Sequence, residues 1–400
     1  MACTLDLYTD YLISSTGQTS ATGLSRLLDG QLSHDQVTSW LRSVELDSRQ
    51  VWGHAKPLIR QAERALETDD FAVLVVDDSI LEKAHTDANA LLCTHYDHSL
   101  GRYVKGLNFV SLLYVAGALS VPIAVELVEK TQAVTDAKMQ KVSYKSPMMK
   151  NKMLRAMLRV AQQQVAYRYL LADSWYASAE NMNQVRELGH DFILALPTSR
   201  TVALSEVGRG NGEFQALDTL GFPDRQPLRV WLRGIAEAVL VVRQVFTNKD
   251  GSQGVLYLVS SDTSLTWEQI TIIYQKRWKI EEYHRSLKQN TSMGCNPNCR
   301  IASPARSAEC AIVGAWADNN VNPAPLPKGG SDNLGCTPSM GKSPTKTINT
   351  QAIHFFYSVL AYIKLEKIKL RLGIGHFRLK AHLYLRGLKA MHYTLTKLAA

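Results

Sequence analysis

No apolar stretch in this 400-residue chain approaches the roughly 20 residues needed to cross a bilayer, which excludes a membrane-spanning helix. The first fifteen residues carry Asp6 and Asp10 and no basic cluster, so they do not read as a secretory signal, and the expected location is cytoplasmic. Cysteine is scarce: Cys3, Cys93, Cys295, Cys299, Cys310 and Cys336 are all there is, and in a reducing compartment they are expected as thiols. What remains is ordinary globular material, with 46% apolar and 20% charged residues, enough chain for two or three domains.

Acid is missing from two segments, and there the net charge of +9 collects. From Lys138 to Arg168 there are eight Lys/Arg and no acid; from Lys364 to Ala400 there are nine and only Glu366. One such run alone is as readily a solvated helix face, but two together form the electrostatic footprint of a protein that binds a polyanion such as nucleic acid.

Along the chain, residues 1–66 read as short helices punctuated by glycines. Within them, SATGLSRLLDGQLSHDQVTSWLRS pairs two helical patterns across Asp29-Gly30 with Ser33 as N-cap. It suits either a helix-turn-helix presenting Gln36, Ser39 and Arg42 to DNA or a small bundle that packs on the next domain. FAVLVV then forms a buried-strand pattern ending in Asp77-Asp78. Two further strands flank Gly117, a basic helix covers Met148 to Val165, and YLLA delivers Asp173 at a strand end before Ser178 opens a helix. DFILALP is the next strand; the alternation predicts an α/β sheet. Between Thr198 and Asp262 the helical signal disappears, while RVWLRG, AVLVVRQVF and GVLYLVSS predict a β-rich insertion, the last two joined at Asp250-Gly251.

A helix is predicted from Thr266 to about Asn290, with Thr266 and Gln269 as a capping box. At 100° per residue, Tyr274, Arg277, Glu281 and Lys288 fall within about a 60° arc of it, beside an apolar seam of Ile273, Ile280 and Leu287. A phenol, a guanidinium, a carboxylate and an ammonium on one face suit a phosphate held next to a metal. Phosphodiester cleavage by in-line attack uses two divalent cations about 4 Å apart, and hard Mg²⁺ prefers carboxylates arriving from different elements. Asp78 and Asp173 at strand ends and Glu281 on the helix are the candidates. His95, Asp97 and His98 lack a fourth ligand at useful spacing and are read as a polar loop; Trp278 is read as a packing residue and His284 as a surface neighbour of the polar stripe.

YQKRWKIEEYHRSLK matches Y-x2-R-x3-E-x6-K without a gap. In this the chain resembles the DDE transposases encoded by bacterial insertion sequences of the cut-and-paste kind, and VLVVDDSILEK and LLADSWYAS resemble that family's two aspartate strands. The resemblance covers residues 65–290 and resumes at Lys342. It implies an RNase H-like mixed sheet with helices, a β-rich insertion before the last catalytic helix, and helical N- and C-terminal regions. It implies that Asp78, Asp173 and Glu281 bind two Mg²⁺ ions, which Mn²⁺ can replace, and that Tyr274, Arg277 and Lys288 contact phosphates of the transposon end. Asp78 is preferred to Asp77 because the family aspartate is commonly followed by a small hydroxyl residue, here Ser79. The implied partners are double-stranded terminal repeats and target DNA, with the enzyme acting as a homodimer on paired ends, at the nucleoid.

The expected domains are 1–66 for DNA binding, 67–197 with 263–294 as catalytic core, 198–262 as insertion, 295–341 as an atypical disordered insert, and 342–400 as a basic helical region. The 295–341 stretch is rich in Pro, Gly, Asn and Cys without periodicity; its cysteine spacing is not that of a standard zinc knuckle. Ser292-Met293-Gly294 recurs as Ser339-Met340-Gly341, so removing 295–341 joins the flanks cleanly, as if a foreign segment had entered the gene. Two alternatives follow: a catalytically impaired remnant that only binds DNA, and a stand-alone RNase H-like nuclease.

Overall fold

The computed structural model describes residues 2–15, 19–68, 70–84, 86–98, 100–136, 141–223, 225–247, 251–293 and 348–398, so the expected insert at 295–341 lies outside the described residues. These fall into two units, one built from the chain up to Leu171, from Lys276 to 293 and from 348 onward, the other from Ala172–Gln275.

The first unit begins with four helices, α1 (Leu5–Ser14), α2 (Ala21–Leu27), α3 (His34–Ser43) and α4 (Ser48–Ala65). Ser33 caps α3 as the sequence predicts: its hydroxyl accepts from the Gln36 amide while the Gln36 side chain accepts from Ser33 N–H at 2.8 Å. The turn before it places Asp29 and Gly30 at φ +50° and +75°, a conformation that Gly and Asp tolerate best.

A mixed sheet follows. Its strands are β1 (Val73–Glu82), β2 (Leu92–Asp97), β3 (Arg102–Ala116), β4 (Leu119–Leu127) and, after the hairpin β5 (Gln132–Asp136) and β6 (Lys141–Lys145) and helix α5 (Lys150–Gln164), β7 (Tyr169–Ala172). The order is β4-β3-β1-β7, with β2 beside β4 on the same edge of β3. Val73 to Val76 are wholly buried, the residues expected of a central strand.

Two sequence expectations change here. The strand does not end at Asp77-Asp78: β1 pairs antiparallel with β3 as far as Glu82, because β3 is fifteen residues long and offers partners throughout. Only its parallel pairing with β7 stops early, at Val75 opposite Leu171. The THYDH stretch is not a loop either. It forms β2, where His95 is buried, lies 3.2 Å from Cys93 Sγ and pairs with Val104.

In the second unit, Asp173 caps a short 3₁₀ turn, Ser174–Tyr176, and Ser178 caps α6 (Ala179–Glu187). Then come β8 (Asp191–Leu196), β9 (Thr201–Ala203), α7 (Glu206–Asn211), β10 (Gln215–Ala216), β11 (Leu228–Leu232), β12 (Val239–Thr247), β13 (Gln253–Ser260) and α8 (Trp267–Gln275). The strand order β10-β9-β11-β12-β13-β8 is antiparallel throughout, the β-rich stretch that was expected. Helix α7 was not expected. At six residues, capped by Ser205 and stopped by Gly212 at φ +77°, it is too short to show a period.

The chain re-enters the first unit through α9 (Trp278–Asn290), α10 (Ile348–Leu372) and α11 (His376–Leu398). The single helix expected from Thr266 to Asn290 is therefore two. Its capping box is present, with Thr266 N–H donating to Gln269 at 2.8 Å, but the helix is interrupted at Lys276-Arg277, where i→i+3 bonds from Lys279 and Ile280 replace the regular ladder. Helix α10 is buried along most of its length and holds the N-terminal helices: Trp40 stacks on Tyr357 at 5.0 Å and Tyr8 meets the same ring edge-on at 5.0 Å. Gln36, Ser39 and Arg42 remain exposed on α3, while its Val37 and Leu41 are buried.

Candidate active site

Helix α9 packs on β1 and β4, and two members of the predicted apolar seam, Ile280 and Leu287, are fully buried on it, while the third, Ile273, lies on α8. Successive side chains of a strand point to opposite faces of its sheet, and this separates the two aspartates of β1. Asp78 faces α5, where its carboxylate pairs with the Lys150 ammonium. Asp77 faces α9. Its carboxylate, that of Glu281 and a ring nitrogen of His284 all lie within 4.8 Å of one another. The aspartate that meets Glu281 is thus Asp77, where the sequence reading favoured Asp78; the identity of the following residue carries no information about which face a strand residue takes.

Cations border this cluster. Arg277, one turn before Glu281, approaches its carboxylate at 3.4 Å and lies over the Trp278 ring at 5.1 Å. Lys288, two turns after Glu281, is half-buried. Burial pushes its ammonium pKa down, while the carboxylates of Asp97, Glu281 and Asp77 pull it back up.

His284 is not a surface residue. Only 5% of it is exposed, its ring meets Phe109 edge-on at 5.5 Å, and Nε2 is buried without a hydrogen-bond partner among the described residues. Burial, reinforced by Lys288 and Arg277, lowers its pKa to about 3, so at neutral pH the ring is an uncharged imidazole. The signal that could have found it is spacing: i+3 from Glu281 on a helix is the next residue on the same face.

The remaining predicted site residues belong to the second unit. Asp173 is half-buried, and its carboxylate accepts from Trp175 N–H at 3.0 Å. Tyr274 is buried on α8, where its hydroxyl donates to the Ala172 carbonyl at 3.2 Å and so ties down the strand end that precedes Asp173.

Two carboxylates from different elements, close enough to share one cation and accompanied by a neutral imidazole, form a donor set that fits a divalent metal ion. The comparisons with known proteins agree with that chemistry. The family model for the DDE superfamily endonucleases matches residues 1–209. The chain belongs to the DDE superfamily endonucleases. A second family model, that of the transposase DDE domain, matches residues 130–307 of this DDE protein, so the two together span Asp77, Asp173 and Glu281. No match was found among curated proteins. Membership makes the DDE protein a DNA-acting enzyme of the nuclease and transposase class, whose members use divalent metal ions. Among the described residues no helix is long and apolar enough to cross a membrane.

Proposed function

We propose that this DDE protein is a cut-and-paste transposase: it hydrolyses the DNA strands at the ends of its element and joins the freed 3′-OH to target DNA. The observation that carries this reading is the meeting of Asp77 and Glu281 within 4.8 Å, with Arg277 and Lys288 alongside. Carboxylates alone suit any nuclease. A guanidinium and an ammonium on the same helix face supply the donors that would grip the phosphates flanking a scissile bond.

In this reading Asp77 takes the role the sequence gave to Asp78. Asp173, which follows the buried strand β7, supplies the third carboxylate, as the family resemblance implies. Asp77, Asp173 and Glu281 would hold two Mg²⁺ ions, with Mn²⁺ able to replace them. Bound divalent ions supply activation of the attacking oxygen and stabilisation of the leaving one. Arg277 holds Glu281 in place and, with Lys288, binds the end phosphates. Tyr274 acts through the Ala172 strand end rather than by reaching DNA. The mixed β4-β3-β1-β7 sheet supports an RNase H-like core, and the antiparallel strands before α8 support the insertion. The exposed Gln36, Ser39 and Arg42 suit end recognition, and a homodimer on paired ends, at the nucleoid, is the working form.

Incubating the full chain with Mg²⁺ and DNA carrying the inverted repeats that flank its own coding region tests the reading. Cleavage at the repeat boundary followed by strand joining is expected. Nicking of any DNA would indicate a general nuclease instead, and binding without cleavage a DNA-binding remnant.

A further inference from the structure

One buried group near the carboxylates has no task in the reading above. His284 is 95% withdrawn from solvent, its Nε2 meets no hydrogen-bond partner among the described residues, and one ring nitrogen sits within 4.8 Å of both the Asp77 and the Glu281 carboxylate. A core histidine normally satisfies its ring nitrogens with protein partners, because a buried unsatisfied polar atom costs about 1–3 kcal/mol. His95 shows the ordinary solution here, set 3.2 Å from Cys93 Sγ and 3.5 Å from the Asn108 amide. His284 instead packs its ring against Phe109 and Tyr283, which fix its plane, and lies one helical turn from Glu281.

From this we propose that His284 is a nitrogen ligand of the cation held by Asp77 and Glu281, and that it tilts this DDE protein toward Mn²⁺ over Mg²⁺. The inference rests on the metal-dependent reading above. Mg²⁺ takes oxygen donors almost alone, whereas imidazole suits later first-row ions, so replacing one oxygen by nitrogen raises affinity for Mn²⁺ more than for Mg²⁺. Phe109 and Tyr283 act as the positioning residues, holding the ring so that coordination needs no rotamer search.

The test is Mn²⁺ bound to the full chain, followed by pulsed electron paramagnetic resonance and by calorimetry. The wild-type complex should show ¹⁴N modulation from a coordinated imidazole, which converts to the ¹⁵N pattern when the protein is labelled with ¹⁵N-histidine. His284→Gln should abolish the modulation and weaken Mn²⁺ binding at least about tenfold, with Mg²⁺ binding changed much less. Because the site is buried, His284→Asn serves as a second variant, with near-ultraviolet circular dichroism confirming the fold. The labelled wild-type spectrum itself needs no variant. Mn²⁺ bound with no nitrogen modulation, and lost in Asp77→Asn, would overturn the ligand role while leaving the metal site intact. No Mn²⁺ bound at all would overturn the metal site itself.

Discussion

At the scale of single residues, the sheet that carries Asp77 depends on how closely β1 and β3 approach. Gly106 on β3 sits where an added Cβ would fall 2.3 Å from the Leu81 carbonyl oxygen and 3.1 Å from Glu82 Cα, both backbone atoms that cannot swing aside. Gly106→Ala is therefore expected to destabilise the protein by about 1–3 kcal/mol, measured by urea unfolding, with an unchanged transition midpoint as the contrary result. The same strand pair shows what a sequence can and cannot disclose about a site. FAVLVV marks a central strand, and the paired aspartates that follow mark the stretch of it that meets α9 and α5. Which of the two faces α9 depends on the parity of the pleat, and that is fixed only when α9 and α5 dock on opposite sides. His284 was obscured for a related reason: its neighbours along the chain are polar, and its burial comes from Phe109 on another element.

Among elements, α9 is secured from behind by a polar network that its own pattern does not announce. Ser286 lies 2.8 Å from His376 Nδ1, His376 Nε2 lies 3.1 Å from Glu366, and Glu366 also pairs with Lys369 at 2.7 Å and accepts from Tyr362 at 3.2 Å. Glu366, the lone acid of the basic C-terminal segment, is only 1% exposed. It thus joins α9 to both C-terminal helices, although 294–347 intervene in the chain. Burial raises its pKa, but the close approach of the His376 ring and the Lys369 charge outweigh that and hold it below the ordinary glutamate value. A depressed carboxyl pKa stabilises the fold above the unfolded-state value, and that contribution is lost as pH falls through the folded value. Glu366→Ala, which leaves the partly buried Lys369 ammonium without its anion, should cost about 3–5 kcal/mol by denaturant unfolding at pH 7, with the difference from wild type shrinking as pH falls below the ordinary glutamate value. A loss that does not vary with pH would contradict the electrostatic origin.

The helices themselves were legible where their period was long or their caps explicit, as at Ser33, Ser178 and Thr266. The break at Lys276-Arg277 was not, because every residue from Thr266 to Asn290 fits one helical wheel and no Gly or Pro interrupts it. The one-wheel argument that grouped Tyr274 with Arg277, Glu281 and Lys288 therefore holds only for the last three. Tyr274 ends on another helix with its hydroxyl on a backbone carbonyl.

For the molecule as a whole, buried neutral histidines set the acid limit. Burial lowers His95 to about 4 and both His284 and His354 to about 3, with Lys130 and Lys150 adding to the first, Lys288 and Arg277 to the second and Lys83 to the third. Well above pH 6.5 none of the three rings is charged in either state. Below it the unfolded chain takes up protons that the folded one refuses, so stability falls as pH falls, by about 1.4 kcal/mol per pH unit for each ring, until the folded values are reached. Equilibrium unfolding between pH 7 and 4 should show this slope reduced by about a third in a His95→Gln variant that still folds; an unchanged slope would contradict it.

The measurement that bears most directly on the central claim is cleavage of paired transposon-end DNA by the full chain carrying either Asp77→Asn or Asp78→Asn. The two substitutions are adjacent and chemically identical, but they lie on opposite faces of β1. Removing a metal carboxylate should forfeit several kcal/mol of transition-state stabilisation, about a thousandfold in cleavage rate, with DNA binding retained. Asp77→Asn is expected to show that loss, while Asp78→Asn, which weakens its Lys150 pair, cleaves within about tenfold of wild type. Cleavage that survives Asp77→Asn and vanishes in Asp78→Asn would contradict the assignment of Asp77 and Glu281 as the catalytic centre.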